Sequence, residues 1–268
     1  MSLVLRITAP LGALAGARGI HLVERNALLY RRTWIVLVSG FVEPLFYLLG
    51  LGFGLGRLVG EVAGPDGSPI PYAVFVAPAL LASSSMNGAI LESTYNVFHK
   101  LRYEKLYESM LRTPLSTADI AVGEIGFALL RGALYALGFL AVVLALGLMP
   151  SPLGLLMVPA ALLEGLAFAA VGMAATTWMR TWQDFDLIQL VTLPLFLFSA
   201  TFYPVSTYPP ALQLVVEWTP LYQAVELMRM LATGHLAPVA LVHVAYLAAM
   251  GIGGLWITSR RLDHLLRK

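Results

Sequence analysis

The sequence predicts an all-α protein that crosses a lipid bilayer several times. Of its 268 residues, 59% are hydrophobic and only 12% are charged, whereas an average soluble domain carries about 25% charged residues. The mean hydropathy is +0.79, and most of the long apolar runs reach the roughly 20 residues that a spanning helix needs. A water-soluble fold of this length could not bury so much apolar surface, so the bilayer must act as part of the solvent.

Six apolar runs are predicted to span the membrane. They lie at about residues 33–56, 72–96, 120–148, 153–179, 187–203 and 237–258. The sequence Met149-Pro-Ser-Pro152 separates the third run from the fourth, and proline ends helices and favours turns. This pair is therefore predicted to form a tight helical hairpin. The fifth run is short and contains Pro194.

The basic residues predict the orientation of these spans. Most Lys and Arg residues lie before the first span, after the second, after the fourth and in the C-terminal tail, whereas the other side holds Arg57 and Arg229. The positive-inside rule then puts both termini in the cytoplasm, and an even number of spans requires the same. We therefore divide the chain into an N-terminal cytoplasmic segment (1–32) and a transmembrane domain (33–268).

The end of the N-terminal segment has the pattern of an amphipathic helix lying in the membrane interface. Its predicted apolar side carries Ile20, Val23, Ala27 and Tyr30. Four arginines are predicted to contact the interface: Arg18, Arg25, Arg31 and Arg32. An ordinary cytoplasmic lead-in helix is the alternative.

A charged island (residues 98–116) stands between the second and third spans. An apolar stripe at helical spacing is predicted for Tyr103, Leu106, Tyr107 and Met110, with the opposite face formed by Arg102, Lys105, Ser109 and Arg112. The spacing also predicts ion pairs between Lys100 and Glu104 and between Glu108 and Arg112. Thr113-Pro114 should end the helix. Such a two-faced helix is a docking element or a lipid-bound connector; alternatively, its charges act only as topological anchors.

Residues 201–234 are too apolar for a watery loop and are broken by four prolines. Thr219-Pro220 has the pattern of a helix start, and Gly234 that of a helix end. The segment is predicted to form two short re-entrant helices on the outer side. A seventh span over residues 212–231 is the alternative, but Glu217, Glu226 and Arg229 argue against it.

Five ionisable residues fall inside predicted spans: Glu43, Glu92, Glu124, Arg131 and Glu164. A charge at the bilayer centre costs about 2.5–3.5 kcal/mol on insertion scales, so each should face protein, water or a span end. Arg131 is predicted to pair with Glu164 or Glu124. Glu43, which precedes Pro44 in mid-span, is the strongest functional candidate, and Glu43, Ser84 and Asn87 are the candidates for a translocation path.

Motifs for catalysis and cofactor binding are absent from the sequence. No phosphate-binding loop and no His-Glu-x-x-His motif occur, and the chain has no Cys. The net charge of +2 gives no reason to expect a nucleic-acid partner. We therefore expect no enzymatic activity, no catalytic or metal-binding residue and no cofactor in this chain.

In this order, the motifs resemble those of the ABC type-2 transporter permeases, in the branch that holds the nodulation-factor and daunorubicin-resistance exporters. The resemblance covers about residues 24–261. Its motifs are Arg31-Arg-Thr-Trp34, Glu43-Pro-Leu-Phe46, Tyr103 to Ser116 of the charged island, Phe198-Ser-Ala-Thr-Phe-Tyr-Pro204, Trp218-Thr-Pro-Leu-Tyr222 and Glu226-Leu-Met-Arg229. One departure is Ala200, where the family often has Gly.

The resemblance implies a transport subunit driven by another protein. Two permease chains, identical or siblings, would enclose a path through the bacterial cytoplasmic membrane, among membrane lipids. Each would bind a cytoplasmic ABC ATPase that supplies ATP and Mg²⁺, with the island as its coupling helix. The cargo would be a lipid, a glycolipid or polysaccharide, or a drug-like amphiphile. A motor-independent channel or secondary transporter, and a membrane scaffold, are the alternatives.

Overall fold

The computed structural model describes residues 18–30 and 42–266. Two short strands, β1 (Glu61–Ala63) and β2 (Pro69–Pro71), pair antiparallel as a hairpin, with Val62 opposite Ile70. The rest of the regular structure is helical. The helices are α1 (Gly19–Tyr30), α2 (Val42–Val59), α3 (Tyr72–Tyr103), α4 (Leu106–Met110), α5 (Thr117–Ala145), α6 (Pro152–Thr176), α7 (Phe185–Phe198), α8 (Pro210–Glu217), α9 (Pro220–Thr233) and α10 (Ala240–Leu266).

Five of the described helices are long and apolar enough to cross a membrane: α2, α3, α5, α6 and α10. The chain is therefore a multi-pass helical membrane protein. The predicted fifth span corresponds to α7, which has 14 residues and is about 21 Å long at 1.5 Å per residue. Its crossing stays a prediction, and so does the count of six spans. Residues 33–41 of the first predicted span lie outside the described residues.

Helix α6 forms the centre of the bundle and packs against α3, α5 and α10. Small residues bring these helices close together. A Cβ atom built on Gly254 of α10 would lie 2.8 Å from the Cβ of Ala170, and one on Gly172 would overlap the Ser93 hydroxyl. Close approach through glycine and alanine is the usual way in which membrane helices pack, because lipid provides no hydrophobic force between them.

The bundle has two distinct ends. At one end, which we call the hairpin end, the β-hairpin and the loop after α9 are joined by His235 and Asp66, 3.2 Å apart. Helix α9 starts at Thr219, whose hydroxyl accepts from the Tyr222 N–H at 3.4 Å, and ends at Gly234, which has a φ of 84°. Both predicted boundaries are confirmed. The charged island lies at the opposite end of α3, the island end.

Candidate functional site

The charged island folds as two short pieces rather than one helix. Helix α3 continues to Tyr103, and its last turn is a π-helix. Lys105 has a φ of 49°, a left-handed conformation that interrupts the helix. The chain then forms the five-residue α4 and a turn before α5. The prediction of a single helix across the island is therefore wrong, because the left-handed Lys105 separates the end of α3 from α4.

The break changes which island residues face solvent. Tyr107 and Met110 are buried and Leu106 is half-buried, as the predicted apolar stripe requires, but Tyr103 is exposed. The predicted polar face is confirmed as exposed at Arg102, Lys105, Ser109 and Arg112. A compact exposed surface of α4 and its flanks, consisting of Lys105, Glu108, Ser109 and Arg112, is the candidate docking surface.

Glu124 of α5 joins three elements at the island end. Its Oε2 accepts from Lys100 Nζ of α3 at 2.6 Å and from Asn26 Nδ2 of α1 at 3.1 Å. Tyr107 of α4 is fully buried nearby; burial raises the pKa of its hydroxyl well above the usual value, and the Glu124 charge adds to the shift. The predicted pairing of Lys100 with Glu104 is therefore wrong, and no Glu108–Arg112 ion pair forms within the described chain.

Arg102 ties the island to the connection between α6 and α7. Its Nε and Nη2 donate to the Met179 carbonyl oxygen at 3.1 Å and 2.8 Å. This bidentate bond gives the guanidinium an internal role. Arg102 is therefore a less direct docking candidate than Lys105 or Arg112, whose described side chains form no ion pair.

An aromatic cluster (Tyr95, Phe98, Tyr103, Trp182 and Phe185) makes a second connection between the same elements. The rings of Tyr95 and Phe185 are stacked with centroids 4.0 Å apart, and Tyr103 stacks on Trp182 at 5.7 Å. Phe98 meets Trp182 edge-on at 5.1 Å. Such pairs contribute about 0.5–1.5 kcal/mol each beyond their burial. The cluster therefore fixes the start of α7 to the end of α3.

Helix α1 packs directly on α5. A Cβ atom on Gly19 would lie 2.8 Å from the Gly123 nitrogen, so glycine is required for this approach. Leu22 and Asn26 are buried, whereas Ile20, Leu28 and Leu29 are exposed. Ile20 of the predicted apolar side faces outward, and the contact of this side with the membrane interface stays a prediction. Arg18 and Arg25 are exposed, and Arg31 and Arg32 lie outside the described residues.

The three path candidates come together in the structure. Glu43, Ser84 and Asn87 line one cleft between α2 and α3, which Phe196 of α7 also borders. Glu43 is exposed, and Ser84 and Asn87 are half-buried. A neighbouring cleft shares Pro44 and Ser84 with the first. A polar strip therefore runs along this side of the bundle, although its role as a path stays a prediction.

Arg131 pairs with Glu92 rather than with Glu124 or Glu164. Its guanidinium contacts the Glu92 carboxylate and donates to the Tyr135 hydroxyl at 2.9 Å, and all three residues line the second cleft. Glu164 is fully buried, and neither of its carboxyl oxygens has a hydrogen-bond partner in the described chain. The sequence offered no register between α3 and α5, so it could not identify Glu92 as the partner.

Arg229, which the sequence assigns to the outer side of the membrane, is 2% exposed in the structure. Its guanidinium contacts Glu226, donates to the Ala200 carbonyl oxygen at 2.9 Å and lies 3.7 Å from the centre of the Phe75 ring. It therefore fastens α9 to α3 and to the turn after α7. The signal that could have identified this role is its i,i+3 spacing from Glu226.

The sequence is similar to those of known proteins. The ABC-2 type transporter family matches residues 20–232. Nodulation protein J of Rhizobium leguminosarum bv. trifolii is 34% identical over 214 residues, covering 79% of this chain and 80% of that relative. The protein of the same name from R. leguminosarum bv. viciae is 31% identical over 242 residues and 90% of each chain.

A more distant similarity extends to the inner membrane transport permease YadH of Escherichia coli, which is 22% identical over 194 residues, 68% of this chain and 69% of YadH. The family match covers both the charged island and the buried Arg229, the two features that distinguish the ends of the bundle. The chain belongs to the ABC-2 type transporter family and is a membrane permease.

Proposed function

We propose that this chain is the transmembrane subunit of an ATP-driven exporter in a bacterial cytoplasmic membrane. A separate ABC ATPase binds ATP and Mg²⁺ and docks at the island end, which faces the cytoplasm together with both termini. Six spans, with α7 as the fifth and α8–α9 as a re-entrant pair, are the topology that accompanies this orientation. Two such chains, identical or siblings, enclose the path.

The observation that carries the proposal is the construction of the charged island. Its exposed surface holds Lys105, Ser109 and Arg112 on a short helix whose other side is anchored by the buried Tyr107. A rigidly mounted polar surface suits a partner that must transmit force. The anchors lead from this surface to α1 and α5 through Glu124, and to α7 through Arg102 and the aromatic cluster.

In this proposal, the contacts of the island transmit force from the ATPase to the helix bundle. ATP binding favours one of two packings of the ATPase pair, and the island passes that preference to the bundle. Of the 14 residues of α7, only Phe185 and Thr192 are buried. Because α7 buries so few residues and its start is attached to the island through the aromatic cluster, it is the element that a displacement of the island moves most easily. Its residue Phe196 borders the cleft of Glu43, Ser84 and Asn87.

The cargo class is a lipid, a glycolipid or polysaccharide, or a drug-like amphiphile. The exposed apolar surfaces of α2 and α7 flank the polar strip, so an amphiphile could contact both kinds of surface at once.

Charge reversal tests the docking proposal. The double variant Lys105→Glu, Arg112→Glu, co-expressed with its ABC ATPase, should lose stimulation of ATP hydrolysis at least tenfold and should fail to retain the ATPase in a pull-down. The control is Arg57→Glu, an exposed basic residue at the hairpin end, which should leave both readouts unchanged.

Two results would contradict the proposal. If the double variant retained the ATPase undiminished, Lys105 and Arg112 would not belong to the docking surface. Cargo transport in vesicles that contain the chain but no ATPase would favour a motor-independent channel or secondary transporter instead.

A further inference from the structure

An apolar groove between α6 and α7 has no role in the function proposed above. Its volume is about 660 Å³, and Ile90 of α3 and Met250 of α10 are among its lining residues. Phe168 and Val171 of α6 face Val191 and Leu195 of α7 across it. Ligand sites in proteins commonly measure about 300–1,000 Å³, so the groove has the capacity for a small molecule or a single lipid chain.

The dimensions of the groove match one leaflet of a membrane. Its lining on α7 runs from Leu187 to Leu195, which is about 12 Å at 1.5 Å per residue. Half of a hydrocarbon core that is about 30 Å thick measures about 15 Å. The groove therefore runs from the island end of the bundle toward the middle of the membrane.

The mouth of the groove is polar and basic. Arg180, Thr181 and Asp184 line it, and Trp178, another lining residue, lies under the Arg261 guanidinium with 4.5 Å between the guanidinium carbon and the ring centre. The described chain gives neither arginine an ion-pair partner. Asp184 is the one acidic residue of the described lining.

The Asp184 carboxylate is already engaged by the backbone. It accepts from the N–H groups of Arg180 at 2.6 Å and Thr181 at 3.0 Å, and these bonds lower its pKa. Arg180 adds to this shift, so Asp184 stays charged and offsets one of the two arginines, which leaves the mouth with a net positive charge through Arg261 beside Trp178. Basic pockets between membrane helices favour anionic lipid headgroups.

We propose that this groove binds one anionic phospholipid, with an acyl chain between α6 and α7 and its phosphate against Arg180 and Arg261. The apolar length accounts for the chain and the basic mouth accounts for the headgroup charge. Trp178 and Trp182 lie at the same level, where tryptophan favours the membrane interface. The bound lipid packs against α7 on a side where the protein provides few contacts. This site does not depend on the transport proposal.

Native mass spectrometry of the detergent-solubilised protein tests the site. The probe is an equimolar mixture of phosphatidylglycerol, phosphatidylethanolamine and phosphatidylcholine. The unaltered chain should retain one phosphatidylglycerol per copy. Val191→Trp, which fills the groove from an exposed helix face, should reduce the lipid-bound fraction at least fivefold. Leu190→Trp is the matched control, because Leu190 is equally apolar and exposed but does not line the groove.

A second variant separates headgroup recognition from chain binding. Arg180→Gln should retain a lipid but lose the preference for phosphatidylglycerol, whereas Arg57→Gln, which alters an exposed basic residue at the hairpin end, should keep it. Equal lipid retention by Val191→Trp and Leu190→Trp would overturn the proposal. So would loss of a dimer by Val191→Trp with unchanged bound lipid, since that result would assign the groove to a second copy of the chain.

Discussion

Ala200 adopts a backbone conformation that suits glycine. Its φ is 55°, its side chain is fully buried, and its carbonyl oxygen accepts from Arg229. A left-handed conformation costs a residue with a Cβ atom about 1–2 kcal/mol. The family often has Gly at this position, and the left-handed backbone is the physical reason for that preference.

Ala200→Gly is expected to stabilise the protein by up to about 1 kcal/mol, because it relieves this strain at the cost of one small side chain. Thermal unfolding in detergent, followed by circular dichroism, measures the change. The control is Ala161→Gly inside α6, where glycine should destabilise by about 1 kcal/mol. Equal effects of both substitutions would show that Ala200 is not strained.

Glu124 connects α1, α3 and α5 at the island end through its hydrogen bonds with Asn26 and Lys100. Glu124→Ala removes the partner of Lys100 and Asn26 together. We expect a loss of about 2–3 kcal/mol in unfolding free energy, below the roughly 3–5 kcal/mol of a fully buried broken pair because Lys100 keeps some solvent contact. Urea unfolding in detergent measures it, with the exposed Glu108→Ala as control. A loss no greater than that of the control would refute this role.

At the scale of elements, the aromatic cluster is the feature that composition could not predict. Tyr95, Phe98 and Tyr103 belong to one helix, and Trp182 and Phe185 to a segment about 80 residues later. Aromatic residues near span ends are usually read as interface anchors. Only the packing of α7 on α3 shows that they contact one another.

Trp182→Ala is expected to uncouple the island from α7. ATPase retention should be unchanged, because Trp182 lies outside the docking surface, whereas cargo-stimulated ATP hydrolysis should fall by at least fivefold. Reconstituted vesicles allow both measurements. Trp256→Ala, which removes an exposed ring stacked on Arg260, is the control. Loss of ATPase retention in Trp182→Ala would place the cluster in the docking surface and contradict its coupling role.

The boundaries of elements were predictable where local chemistry determines them. Thr219 and Gly234 mark the ends of α9 as their residue types indicate. The island was not predictable in the same way, because helical spacing favoured one continuous helix from residue 102 to 112. The break at Lys105 arises from tertiary packing, since burying both Leu101 and Tyr107 requires the chain to turn between them.

At the scale of the whole molecule, the sequence predicted a helical multi-pass membrane protein of this family, and both are confirmed, although the β1–β2 hairpin was not predicted. Hydropathy determines the long spans because lipid requires every backbone group to be satisfied within a helix. The ion pairs between helices were not predictable, since Arg131 pairs with Glu92 although other carboxylates lie in neighbouring spans. The burial of the charged Arg229 was not predictable either. Such choices depend on helix rotation, which a single sequence does not determine.

In the proposed orientation, the island end faces the cytoplasm and presents the docking surface there. The chain has no Cys, so single-cysteine variants report their own positions. Ser109→Cys and Glu61→Cys place a thiol at the island end and at the hairpin end, both at exposed residues. Labelling with a membrane-impermeant maleimide in intact cells, compared with permeabilised cells, distinguishes the two sides.

Glu61→Cys should react in intact cells, whereas Ser109→Cys should react only after permeabilisation and should be protected when the ABC ATPase is bound. Reaction of Ser109→Cys in intact cells would contradict the orientation and with it the proposed docking of a motor.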